Sequence, residues 1–131
     1  MLTSSDVGAI MNAARAEARS RDWMLAIAIV DDAGYLLQFE RLDGAGPTTA
    51  DVAIGKAKAA ALTRRATKEL EARVVERPVF LHYPYPDSIL IRGGLPIMVG
   101  DECVGAVGVS GRASDEDELI AQVGIDALST E

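Results

Sequence analysis

An α+β fold, with an antiparallel sheet flanked by helices, is what this 131-residue sequence predicts. Two pairs of apolar runs are each joined by a short turn, the mark of hairpins rather than of parallel crossovers. Three segments carry apolar residues at helical spacing. Their order, α-β-β-α-(irregular)-β-β-α, puts both hairpins in one antiparallel sheet with helices packed on it. The length corresponds to a single domain over residues 1–131.

Residues 4–20 place Val7, Ile10, Met11, Ala14 and Ala18 on one helical stripe, with Thr3 and Asp6 spaced as a capping box. Met24 to Val30 is short and continuously apolar, which predicts a strand buried on both sides. Asp32-Ala33-Gly34 turns the chain, and Tyr35 to Leu42 returns as the hairpin partner. The loop Asp43-Gly44-Ala45-Gly46-Pro47 punctuates the first half, after which Thr48 or Thr49 caps an alanine-rich helix running to about Thr63. A shorter helical piece is expected at about 66–72. From 73 to 92 the chain is least regular, because Pro78, Pro84 and Pro86 forbid a long helix or a central strand. Leu95 to Val99, the Gly100-Asp101 turn and Glu102 to Val109 form the second hairpin. The last helix starts near Ser114, capped with Asp117, and its expected buried stripe is Leu119, Ile120, Val123, Ala127 and Leu128.

Composition excludes several functional classes. The longest apolar run is far short of the roughly 20 residues a membrane helix needs, and the first 23 residues lack the apolar core of a secretory signal. A cytoplasmic location is therefore expected, with no membrane partner. A net charge of −7 argues against nucleic acid as a partner. One His and one Cys cannot write a zinc site or an internal disulfide, so no metal ligands are assigned. Basic residues concentrate between Lys56 and Arg77, and acids after residue 101, where Arg112 is the only cation. Opposite faces of this kind can orient subunits on one another, as well as serve as ordinary solvated surface.

The strings AIAIVDDAGYLLQFERLDGA, TTADVAIGKAKAAALTRRAT and RGGLPIMVGDECVGAVGVSGRASDEDELIAQVGIDAL, taken together, resemble the GlcG/HbpS family. The resemblance covers about residues 24–68 and 92–128, and rests on VDDAG, RLDGA, GKAKAAA, GGLPI and GAVGVSG in that order. It implies a profilin-like or PAS-like domain that forms homo-oligomers. Some members bind haem, one is an extracellular haem-sensing accessory protein, and related domains are fused to corrinoid adenosyltransferases of the PduO type. Other members sit in gene clusters for small-acid catabolism.

Candidate site residues follow from position and chemistry. Arg41 ends a strand and Asp43 opens a Gly-rich loop, so Arg41 can clamp a carboxylate bidentately, or the two can simply pin the loop. Lys56 and Lys58, two apart on a helix, cannot face the same way. The resemblance puts Lys56 rather than Lys58 near the cleft, while a structural salt bridge is the first role to expect of it. Gly105, Gly108 and Gly111 do not match a phosphate loop and instead suggest a close backbone approach, such as a second subunit. Ser110 is a candidate substrate contact, although its surroundings lack the GxSxG pattern of a hydrolase nucleophile. Asp115 can cap the last helix or reach a ligand. The segment Pro78 to Pro86 holds the only histidine, His82, with Tyr83 and Tyr85. It reads either as a ligand lid with His82 as acid/base or axial ligand to haem iron, or as a loop packed on the sheet edge or a subunit interface.

Three functions remain in play. The first is small-ligand binding with haem as the candidate cofactor, through His82, Tyr83 and Tyr85. The second is a cofactor-free isomerase, tautomerase, lyase or decarboxylase on a small carboxylate. There Arg41, Asp43 and Ser110 would bind the substrate, and Lys56, His82 or Asp115 would move a proton. The third is a non-catalytic accessory homo-oligomer.

Overall fold

The structure, a computed structural model, describes residues 1–82 and 86–128. It contains α1 (Ser4–Ser20), β1 (Ala26–Asp31), β2 (Leu36–Arg41), α2 (Thr48–Thr63), α3 (Thr67–Glu76), a 3-10 turn (Pro78–His82), β3 (Gly94–Val99), β4 (Glu102–Ser110) and α4 (Ser114–Asp126). The four strands form one antiparallel sheet in the order β2-β1-β4-β3. The α+β arrangement and element order expected from the sequence are those observed. The 66–72 helical piece extends to Glu76, so part of the segment expected to be irregular is helical.

The alternation in β1 divides the molecule. Ile27 and Ile29 point to one face and join the core with Ile10, Met11 and Ala14 of α1 and Ile120 and Ala121 of α4. Ala26, Ala28 and Val30 point to the other face, against Ala53, Ala57, Ala60 and Ala61 of α2. Small residues on both sides of that second interface let α2 lie very close to the sheet. At Gly108, opposite Ala28 in the register, an added Cβ would collide with the Ala53 carbonyl oxygen and the Ala57 nitrogen. The close approach expected at this glycine is therefore made by the chain's own helix rather than by a second subunit. Pro96 is accommodated because β3 is an edge strand, where a missing N–H need not break a ladder.

Capping departs from expectation at two helices. The Thr3–Asp6 box at α1 forms in both directions. At α2 the N-cap is Pro47, and the Thr49 hydroxyl donates to the Gly46 carbonyl instead of accepting from the helix. At α4 the N-cap is Ala113, so Ser114 is already helical and does not cap. Its buried face is Asp117, Ile120, Ala121 and Gly124, while Leu119 is exposed and Val123, Ala127 and Leu128 are half-buried. That stripe is rotated from the expected one because Asp117 turns inward.

Candidate functional site

A helix advances 100° per residue, so positions two apart diverge by about 200°. Lys56 and Lys58 accordingly serve opposite sides of α2. Lys56 points inward and is 2% exposed; its Nζ donates to the Val109 carbonyl at 2.9 Å and to Asp117 Oδ2 at 3.2 Å. The other Asp117 oxygen accepts from the Arg112 backbone N–H at 2.9 Å. Burial raises the Asp117 carboxyl above its usual range, against the lowering pull of Lys56 and of the Arg112 and Gly111 amides. Gly93 makes room for the ammonium, since a Cβ there would stand 2.7 Å from Nζ. The ion pair thus ties α2, β4 and α4 together beneath the surface. Of the two roles open to Lys56 in the sequence, the structure shows the structural salt bridge, and it is Lys58 that lines the cavity on the outer side of α2.

Lys58 lines a cavity of about 480 Å³ with Asp51, Ile54, Asp87, Ser88 and Ile89. Positions 51, 54 and 58 share one helix face by their i, i+3, i+7 spacing. The opposite wall is held against α2 by two contacts. The Ile89 N–H donates to the Gly55 carbonyl at 3.0 Å, and the Ile89 side chain occupies the space a Cβ on Gly55 would need. Among the described residues Lys58 has no carboxylate within 4.0 Å, and the buried Ser88 hydroxyl has no hydrogen-bond partner. An unsatisfied buried hydroxyl is costly and calls for a partner. Volumes of roughly 300–1,000 Å³ with apolar walls and a few polar groups suit small-molecule ligands.

The same wall leads back to the histidine segment. Phe80 packs on the cluster of Ala59, Leu70 and Leu90, which anchors the 3-10 turn on α2 and α3. Arg73 lies over the Phe80 ring, 5.8 Å from its centroid. His82 ends this turn and is exposed. Tyr83 and Tyr85 lie outside the described residues.

The other predicted site residues sit at the far end of the β1–β2 and β1–β4 ladders from their turns. Arg41 pairs with Ala26 across β1–β2, and Ala26 pairs with Ser110 across β1–β4. Directly opposed residues share a face, so Arg41 and Ser110 flank Ala26 on the α2 side. Arg41 is exposed and Ser110 is buried. Asp43 is exposed beside Trp23 and Met24, around a smaller cavity of about 210 Å³. Asp115 is exposed in the first turn of α4. These residues do not line the α2 cavity. Among the described residues, no group of three or more His, Cys, Asp or Glu side chains is placed to hold a metal ion. No described helix is long and apolar enough to cross a membrane.

Sequence reasoning missed Lys58, Ser88, Asp51 and Asp87. The helical period alone showed that one of the two lysines faces outward, but Ser88 follows the proline-rich segment, where no periodicity tells direction.

Residues 2–126 match the family described as haem degrading protein HbpS-like. The chain belongs to the HbpS-like family. Among its relatives, GlcG of Escherichia coli K12 is 39% identical over 111 residues, covering 84% of this chain and 81% of that protein. HbpS of Streptomyces reticuli, solved as a double mutant, superposes with a TM-score of 0.90 at 32% identity, over 97% of this chain and 86% of its own. A PduOC–haem complex superposes with a TM-score of 0.88 at 25% identity, over 96% and 94% of the two chains. The GlcG/HbpS resemblance read from VDDAG, GKAKAAA and GGLPI is therefore the family of the chain. Several of those motif residues are structural here: Gly55, Lys56 and Gly93 seat Ile89 and the buried ammonium.

Proposed function

We propose that this protein binds a small ligand in the cavity between α2 and residues 87–89, and that the ligand is haem. One observation carries the location: the cavity combines the apolar walls Ile54 and Ile89 with Lys58, which among the described residues has no carboxylate within 4.0 Å. Family membership supports the choice of haem, as does the haem complex formed by the structurally similar PduOC. Bound haem supplies an iron that accepts an axial ligand and a flat apolar ring edged with carboxylates.

The chain's own residues suit those demands. Ile54 and Ile89 would exclude water from a ring face, and Lys58 would offer a donor to an anionic oxygen. His82, the only imidazole in the chain, would be the candidate to hold the iron; it is exposed outside the cavity lining, on a turn anchored through Phe80 on Ala59, Leu70 and Leu90. Self-association accords with this reading, since Tyr35, Leu36, Leu37 and Val99 expose apolar surface at the end of the sheet where both hairpins turn.

A haemin titration followed by visible absorption tests the proposal. The expected result is a saturable spectrum near one haem per chain, with the spectrum altered and affinity lowered in His82→Ala. Unsaturable absorbance would overturn haem as the ligand, and an unchanged His82→Ala spectrum would remove His82 as the axial group.

A second reading follows from the register that places Arg41 and Ser110 on either side of Ala26. A guanidinium and a hydroxyl across one small residue can hold a small carboxylate, as a cofactor-free isomerase or lyase would require. Arg41→Ala would then abolish saturable binding or turnover of that acid, and retained turnover would overturn it.

A further inference from the structure

We infer that residues 87–89 are a strap that lifts off α2 while the rest of the fold stays closed, and that its opening admits the ligand; the role in ligand entry rests on the α2 cavity being the ligand site. Two contacts clip the strap down. The Ile89 N–H donates to the Gly55 carbonyl at 3.0 Å. The Ile89 side chain fills the notch above Gly55, where an added Cβ would stand 2.7 Å from Ile89 Cγ1. Two features oppose the closed position. The Ser88 hydroxyl is buried and, among the described residues, has no hydrogen-bond partner, so closure takes away its water and returns nothing. Asp87 holds φ at 57°, in the left-handed region that is unfavourable for a residue with a Cβ.

The neighbours of the strap set its bounds. Leu90 is buried with Ala59 and Leu70, and Phe80 packs on the same cluster. Further along, the Gly94 N–H donates to the buried Thr67 hydroxyl at 2.8 Å. These contacts hold the chain on either side of residues 87–89 and do not pass through them. Lifting the strap strands no backbone group. Gly55 lies inside α2, so its carbonyl keeps the helical partner four residues on, and the Ile89 N–H passes to water. Opening thus gives up one hydrogen bond and one seated side chain and regains a hydrated hydroxyl and a relaxed backbone. That balance lies far below the free energy of opening the central strands. Asp87, Ser88 and Ile89 line the cavity against Asp51, Ile54 and Lys58 of α2, so the movement uncovers that helix face.

Amide hydrogen exchange of the protein without added ligand, read by NMR across a low-urea series, tests the strap. The Ile89 amide is expected to be at least ~100-fold less protected than the Val107 amide of β4, and to be insensitive to urea. Asp117→Leu, which weakens the whole fold, should lower the protection of Val107 and leave Ile89 unchanged. Ser88→Ala removes the orphaned hydroxyl and should raise Ile89 protection ~10-fold, whereas Gly55→Ala crowds the notch and should lower it by ~10-fold. Equal protection of the two amides, or an Ile89 amide that falls with Val107 in Asp117→Leu, overturns the strap. So does an Ile89 amide that neither Ser88→Ala nor Gly55→Ala moves. Stopped-flow mixing with haemin then reads entry. Association should be ~10-fold slower in Ser88→Ala and faster in Gly55→Ala, because only the open fraction accepts ligand. Equal rates in all three proteins overturn entry through the strap while leaving haem binding intact. Absence of saturable haemin binding overturns the haem reading and haem entry with it, and the exchange rates still decide the strap.

Discussion

The Lys56 ammonium sits 3.2 Å from the Asp117 carboxylate, with both side chains only 3% exposed. This pair joins a helix on one face of the sheet to a helix on the other, at the end of β4. Removing one member strands the other charge in the interior, which typically costs about 3–5 kcal/mol. Lys56→Met and Asp117→Leu are each expected to lose stability on that scale in urea titrations. The double variant Lys56→Met/Asp117→Leu should lose less than either single change, since no unpaired charge remains. Losses that simply add in the double variant would contradict the coupling.

The same carboxylate gives stability a dependence on pH. Burial raises its pKa in the folded state above the ordinary 3.8, so the native state holds the proton more tightly than the unfolded chain. That contribution is complete below 3.8 and is lost as pH rises through the raised value. The stability of the wild type relative to Asp117→Asn should therefore fall as pH climbs from the acid side toward neutrality. A relative stability that rises over this window would mean that Lys56 outweighs desolvation.

Two glycine substitutions should have opposite signs. Around Gly8, on α1, nothing lies within 4 Å of an added Cβ, so Gly8→Ala gains helix propensity of roughly 0.5–1 kcal/mol. At Gly108 the Cβ would strike backbone atoms of α2, which cannot move as a side chain can, and overpacking of this kind costs typically about 1–3 kcal/mol. Thermal unfolding of the two variants distinguishes them, with Tm raised in the first and lowered in the second. Equal effects would contradict the close seating of α2 on the sheet.

Local signals made the fold legible. The short, continuously apolar run of β1, the Gly100-Asp101 turn and the Thr3–Asp6 box each act within a few residues, and each forms where the sequence puts it. The errors are long-range in origin. Ser114 does not cap α4 because Asp117 is drawn toward Lys56, which is 61 residues away in sequence. The buried stripe of α4 rotates for the same reason. The site was read only in part. Helical spacing separated Lys56 from Lys58 but could not say which faced inward, because that depends on the space left by Gly93 and on Asp117. Ser88 carried no sequence signal, since its importance arises only from burial beside α2.

The central claim, that the cavity on α2 is the ligand site, is tested most directly by obstructing it. Ile54 lines the cavity of about 480 Å³ from the helix, and Ile54→Trp would put an indole where a flat ring is proposed to lie, without changing His82, Arg41 or Ser110. Haemin titration of this variant, with far-ultraviolet circular dichroism to confirm that the fold is retained, is predicted to show no saturable haem spectrum. Wild-type affinity in a folded Ile54→Trp protein would contradict the account and place the ligand elsewhere on the molecule.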